Sequence, residues 1–443
     1  MDKRCKLTAA LLILALLLPM AAWTTGQGEA TTEKGPVTIK WFMRWDNERV
    51  EIVAKPVMAA FMKANPNITV EFENIGKGVD YYTKLNTLAA AGDMPDVTYL
   101  APHYVAIFAS KAAIVPLDEL MRKNGVDAGA YYPKVLNFYK REGKTFGLPI
   151  DAAALVMFYN KNMFDSAGVT YPKQGWTWKD LIALGKKFVK DLDNDGKVDQ
   201  FAIHLNPDYW PVYLYSQTGH TVFDDYFKPT RYLLAQPDSI KAFHEYDEYW
   251  LVHNLAPTPS QVQQIKNYFM AGKAAMILMG SWDMPMYISS IKTFTWDLAP
   301  LPLGATGKPY NRGDGSSFCL SSASKNKEAA FKLIKFLAGP GSEGVNILLD
   351  RQQMLPAIKT MAESDRFLKP DPAFTGGLKL NKEAYFFGND NQFSMYDPIH
   401  AIYEKVNAVH IAELREAQEG KVSAEVAIKR AAEQVAELLK AAR

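Results

Sequence analysis

An α/β fold divided into two lobes is what this sequence predicts, and three observations predict it. Strand and helix patterns alternate three times over the first hundred residues after the apolar N-terminus. Such alternation implies a largely parallel sheet with helices on both faces. The chain has 443 residues, which favours two lobes over one core. It is 48% hydrophobic and 22% charged, a globular balance too apolar for a disordered chain.

The elements follow in order. VTIKWFMRW is rich in β-branched and aromatic residues and reads as a strand. From Glu48, apolar residues recur at helical spacing through VEIVAKPVMAAFMKAN, with Pro56 as a kink point and NPN as the stop. ITVEFENI is a second strand, and VDYYTKLNTLAAAG a second helix ended by Gly92. DVTYLAP and VAIFASKAA repeat the pair. Ligands of such sheets sit beyond the carboxyl ends of the strands. The segments RWDNE and APHY lie there.

Further on, GWTWKDL reads as a capped helix start at Thr177, which assigns Trp176 and Trp178 to structure. YFMAGKAAMILMGSWDM reads as a helix end, a strand and a turn. Met276, Met279, Met284 and Met286 there read as core or gap filler. SSFCLSS is another strand, and NKEAAFKLIKFLAG an amphipathic helix closed by glycine. Residues 400–443 read as two helices broken at GKVS.

The N-terminus is a basic head, MDKRCK, then an apolar run, LTAALLILALLL, then PMAAWTTGQGEA. This is the pattern of a secretory signal peptide over 1–28, too short for a comfortable membrane span. No cysteine follows the run, so no lipid anchor is expected there, and the chain is expected in the periplasm or outside the cell. Removing Asp2, Lys3, Arg4 and Lys6 takes away the whole formal charge of +2. A near-neutral chain is not steered to nucleic acid. Of two cysteines, Cys5 leaves with the signal, and Cys319 reads as a small buried hydrophobe.

Several segments together resemble the extracellular solute-binding proteins of ABC sugar importers, the group that includes maltodextrin-binding proteins. They are TIKWFMRW, GDMPDV, KAAIVPLDEL, FGLPIDAAALVMFYNKNMF, GWTWKDL, DLDNDGKVDQ, FMAGKAAMILMGSW and SSFCLSSASKNKEAAFKLIKFLAG. Any one is weak, but eight occur in the family's order. The resemblance implies a two-lobed periplasmic-binding-protein fold, each lobe a mostly parallel sheet flanked by helices, with three interlobe crossings. These fall near 150–153, 312–317 and 350–355. The N-terminal lobe would hold 36–150 and 316–350, the C-terminal lobe 151–314 and 352–443. The implied partners are a carbohydrate and the permease subunits of an importer, with the binding protein itself a monomer.

A sugar presents C–H faces that stack on aromatic rings and hydroxyls that seek charged or amide partners. Trp282 in MGSWDM occupies a place where relatives point an aromatic into the cleft; the alternative is a core tryptophan. Trp45 and Asp46 pair an aromatic with a carboxylate at the first strand end, or else pack and cap a helix. Asp151 falls at the first crossing, as a ligand group or a hinge hydrogen bond. His103 and Tyr104 lie beyond the third strand. Tyr209 and Trp210, in NPDYWPVY, are a sugar platform or loop packing. Arg312 and Asp314 fall at the second crossing, and Tyr396 in FSMYDP completes the candidates.

DLDNDGKVDQ offers hard oxygen ligands: Asp191, Asp193, Asp195, the Lys197 carbonyl, Asp199 and Gln200. A sensor EF-hand needs glutamate at its twelfth position, where Ala202 stands. Some alginate- and sugar-binding relatives carry a similar calcium loop, so the resemblance implies a structural Ca2+ and no other cofactor; the alternative is a metal-free Asx-rich turn. No G-x-S-x-G, H-E-x-x-H or P-loop occurs, and no enzyme is expected. Two other readings stay open: the same receptor for a non-sugar solute, such as a polyol phosphate, peptide, polyamine or metal complex, and a secreted carbohydrate-active enzyme or lectin.

Overall fold

β1 (Val37–Met43) turns Ile39, Trp41 and Met43 into the core on every second residue, with Thr38 and Lys40 facing solvent. The computed structural model describes residues 35–76, 79–312, 315–352, 354–386, 393–394 and 399–442. The signal segment, Asp314 and Tyr396 lie outside them.

Asp46 caps the helix α1 (47–64) by accepting the Arg49 N–H at 2.8 Å. Its middle, Val50–Ala54, is wound as a wider π turn. Pro56 stands two residues on; it has no N–H to give, and its ring clashes with the carbonyl four residues back. The helix absorbs its proline as a bulge.

β2 (Ile68–Asn74), α2 (Val79–Ala91), β3 (Val97–Leu100) and α3 (Pro102–Ser110) complete the alternation, and β1 is parallel to both β2 and β3. β4 (Gly147–Pro149) leads to the first crossing. Beyond it, β5 (Leu155–Asn160), β6 (Phe201–His204), β7 (Ala274–Gly280) and β8 (Trp296–Ala299) form a second sheet in the order β8-β5-β7-β6. The chain then returns as β9 (Ser317–Leu320), which inserts between β3 and β4 to give β2-β1-β3-β9-β4. Each sheet is therefore mixed. The local alternation yields the parallel pairs, while β9, re-entering from the other lobe, is antiparallel to both neighbours. In the second sheet β6–β7 is parallel, and β5 is antiparallel to β7 and β8.

β5 is buried on both faces, which explains its unbroken apolar run. Val156 and Phe158 join the core continuous with the first sheet, and Leu155, Met157 and Tyr159 the second core. That second core is closed by the C-terminal helix Ala424–Ala441, which buries Ala427, Ile428, Ala431, Val435 and Leu439 at helical spacing. Trp176 and Trp178 are buried as expected of structural residues: their indole N–H groups donate to the Pro300 carbonyl (2.8 Å) and Ser216 Oγ (3.1 Å).

The three crossings lie side by side. Ile150 N donates to the Ser316 carbonyl (3.0 Å), Ser316 N to Asp151 Oδ1 (3.0 Å), and Ala152 N to the Leu355 carbonyl (2.9 Å). Gly315 sits at φ +55°, where side chains are rarely tolerated, and a Cβ there would collide with the Asp151 backbone carbonyl. Gly315→Val is expected to lower stability by about 2–4 kcal/mol through strain and clash together. Urea midpoints read this, and an unchanged midpoint would refute the account of the hinge.

Candidate functional site

A cavity of about 460 Å³ opens where the strands of both sheets end, beside the crossings. That volume lies within the ordinary range for small-molecule sites. Arg44 and Trp45 come from the end of β1, and Arg49 from the first turn of α1. His103 and Tyr104 come from the start of α3. Asp151, Ala153, Gly315 and Ser316 come from the crossings, and Trp282 and Asp283 follow β7. The helical segment 403–418 adds Tyr403 and Asn407.

Aromatic faces dominate the walls. Tyr82, on α2, stacks on Tyr104 with planes 6° apart, and His103 stacks on Tyr403 at 3.7 Å between centroids. The Trp282 ring lies over Gly280, where a Cβ would collide with it; glycine is needed there for space. Trp45 is pinned by its backbone, whose N–H and carbonyl both pair with the Asn74 amide at 2.9 and 2.8 Å.

Charge is concentrated among these rings. The Arg44 guanidinium lies over Tyr82 at 5.1 Å, and that of Arg49 over Trp45 at 5.9 Å. Arg49 also donates from Nη2 to the Trp282 carbonyl, linking the element after β1 to the one after β7. Burial opposes the charge of Arg44, yet the surrounding tyrosines, Tyr82 first, outweigh it and hold its pKa above the ordinary value. Burial, reinforced by the Asp151 carboxylate, pushes the Tyr99 hydroxyl up to about 12. The site thus offers neutral phenols, flat rings, guanidinium donors and carboxylate acceptors.

The family model for bacterial extracellular solute-binding proteins matches residues 46–344. The chain belongs to that family. This solute-binding protein is 26% identical over 406 residues to a maltooligosaccharide ABC transporter solute-binding lipoprotein of Streptococcus pneumoniae R6, covering 90% of this chain and 91% of the relative. Its fold matches an ABC substrate-binding protein of Listeria monocytogenes in complex with cycloalternan. The TM-score is 0.79 at 24% identity, over 91% of this chain and 99% of the other. It also matches the maltose/maltodextrin-binding domain of Bdellovibrio bacteriovorus bound to maltotriose, with a TM-score of 0.71 at 20% identity, over 91% and 100%. The two-lobed architecture is thereby shared with both.

Of the residues singled out from the sequence, Trp45, His103, Tyr104, Asp151 and Trp282 come together on the cavity of the solute-binding protein. Asp46 is not among the lining residues; its side chain caps α1. Tyr209 and Trp210 line a neighbouring hollow of about 340 Å³ that shares Tyr403 and Asn407 with the main cavity. Both rings are largely buried, Trp210 against Phe243 and His410. Arg312 lies in a two-residue strand paired with 393–394, and its side chain is outside the description.

Arg44, Arg49, Tyr82, Asp283, Tyr403 and Asn407 line the cavity without having been anticipated. Two of them carried a readable signal: Arg44 flanks Trp45 at the strand end, and Arg49 stands one helical turn on. Tyr82 is in the first turn of α2, away from any strand end, and Tyr403 lies some three hundred residues away, so only tertiary packing brings them in.

In the acidic loop, oxygens of Asp191, Asp193 and Asp195 lie within 4.8 Å of one another on exposed side chains. One oxygen of each accepts a backbone N–H, from Gly196, Asp195 and Lys197 respectively, and Asp199 Oδ2 accepts that of Leu192. The Lys197 ammonium bonds the second oxygen of Asp195 at 2.9 Å. The Gln200 amide N–H donates to the Phe188 carbonyl at 2.7 Å. An all-oxygen carboxylate set fits a hard dication, and Ca2+ best. Lys197 would have to release Asp195 to complete it.

Proposed function

We propose that this protein captures a saccharide between its lobes and delivers it to the membrane subunits of an ABC importer, without chemical change to the sugar. One observation carries the reading: a single cavity at the strand ends combines stacked aromatic faces with arginine and carboxylate groups, the two chemistries a sugar needs. The maltooligosaccharide relative and the sugar-bound structures of the same fold support it. The protein acts outside the cytoplasm as a monomer after loss of its leader. Among the described residues no helix is long and apolar enough to cross a membrane.

Binding proceeds by closure. Sugar docks on the rings of one lobe, and closure adds donors from the other. The Arg49–Trp282 bond and the His103–Tyr403 stack link chain segments on opposite sides of the cavity. Ligand favours the closed form only by its higher affinity for it. Isothermal titration against mono- to tetrasaccharides tests the reading, together with product analysis after long incubation. Flat titrations throughout would refute capture, and any turnover would refute transport without chemistry.

The acidic loop has a structural part in this proposal. Ca2+ pins Asp191, Asp193, Asp195 and Asp199 and relieves their mutual repulsion. Millimolar Ca2+ is expected to raise the melting temperature of wild type by a few degrees, with EDTA reversing it and Asp193→Ala abolishing it. Equal melting with and without Ca2+ would remove the metal.

A further inference from the structure

Two arginines, Arg44 and Arg49, line the cleft, and among the described residues neither has a carboxylate ion pair. Arg49 is 5% exposed; its Nη2 is committed to the neutral Trp282 carbonyl, and its Nε is buried without an acceptor. Arg44 likewise has a buried Nε with no acceptor. Among the described residues neither guanidinium enters an ion pair. The remaining compensation is the π face of Tyr82 for one and of Trp45 for the other. Arginine does not shed its proton in proteins, and a buried charge without a partner is costly. Two carboxylates, Asp151 and Asp283, line the same cavity, and Asp151 accepts the Ser316 N–H at the crossing.

Guanidinium groups that line a ligand-sized cavity without an ion-pair partner among the described residues are matched by an anionic acceptor brought in by the ligand. Carboxylate, sulfate and phosphate oxygens are the groups that guanidinium binds best. We infer that the saccharide taken by this cleft is acidic: a sugar bearing a carboxylate, sulfate or phosphate ester bound against Arg44 and Arg49. The inference rests on the saccharide reading above and narrows it. The stacked rings take the sugar face, and the arginines take the charge.

The test is titration calorimetry on the full mature chain with matched probes. The neutral set is maltotriose, cellobiose and galactose; the acidic set is digalacturonate, cellobiouronate, glucose 6-phosphate and a sulfated disaccharide. At least one acidic probe is expected to bind about tenfold or more tightly than its neutral counterparts, with an affinity that falls as NaCl is raised. Arg44→Gln and Arg49→Gln should each weaken binding of the acidic probes more than that of the neutral ones, and so remove most of that preference. The salt dependence of wild type needs no variant, so the inference stays testable if Arg49→Gln does not fold. Neutral probes binding as tightly as acidic ones, or arginine variants that weaken both sets equally, would overturn the inference and leave saccharide capture standing. No binding by either set would overturn both.

Discussion

Trp282→Ala is expected to abolish most ligand affinity, by thirtyfold or more, while leaving the fold intact. A central aromatic anchor removed from a binding site typically costs about 2 kcal/mol or more. Trp282 is such an anchor by position: it follows β7 directly, lines the cavity, and its backbone carbonyl receives Arg49 from the other side. Its ring is only part-buried and lies over Gly280, so truncation opens space without hollowing a core. The melting temperature should therefore move by only a few degrees. Gly280→Ala separates ring chemistry from ring placement: the new methyl displaces an unmodified Trp282 and should also weaken binding. Calorimetry on both variants decides. An affinity kept in Trp282→Ala would remove the aromatic wall from the site.

How far the sequence reached follows from what is local. The alternation in VTIKWFM and the apolar run in LVMFYN are consequences of one-sided and two-sided burial, and both appear in the burial of β1 and β5. Strand ends bind ligand for topological reasons, and so Trp45, His103, Tyr104 and Trp282 were legible. Asp46 shows the limit. A carboxylate one residue past an aromatic reads as a site pair, but the same spacing before a helix makes an N-cap, and α1 uses it so. Tyr209 and Trp210 fall on the neighbouring hollow instead of the main cavity: their segment turns helical, and both rings are largely buried there. Tyr403 was beyond reach because its contribution depends on how a distant helical segment docks against His103. RWDNER spells out both Arg44 and Arg49, but whether their side chains turn to the cavity or to solvent depends on tertiary packing, which no local pattern encodes.

Acid should destabilise this protein through two histidines that the cleft does not use, one buried and one half-buried. His204, on β6, is 4% exposed, and its Nδ1 accepts the Tyr268 N–H at 3.1 Å, which requires that nitrogen to be unprotonated. Burial lowers its pKa from 6.5 to about 4. His410 lies with Nε2 3.0 Å from the Tyr232 hydroxyl and is likewise lowered by burial to about 4. Each is a base whose folded pKa lies below its unfolded one. The unfolded chain then binds protons that the native chain refuses, so the stabilisation is complete above pH 6.5 and is lost as pH falls toward 4. Each shift corresponds to about 3 kcal/mol across that window. Urea unfolding between pH 7.5 and 4.5 should therefore show a fall of several kcal/mol beyond the carboxylate contribution. His204→Asn keeps a hydrogen-bond acceptor but cannot charge. It should be less stable than wild type at pH 7.5 by about 1–2 kcal/mol, through imperfect packing, and should close that gap by pH 4.5. A gap that stays constant with pH would mean that His204 is charged in the native state or already free to take its proton there, against the direction of the Tyr268 hydrogen bond.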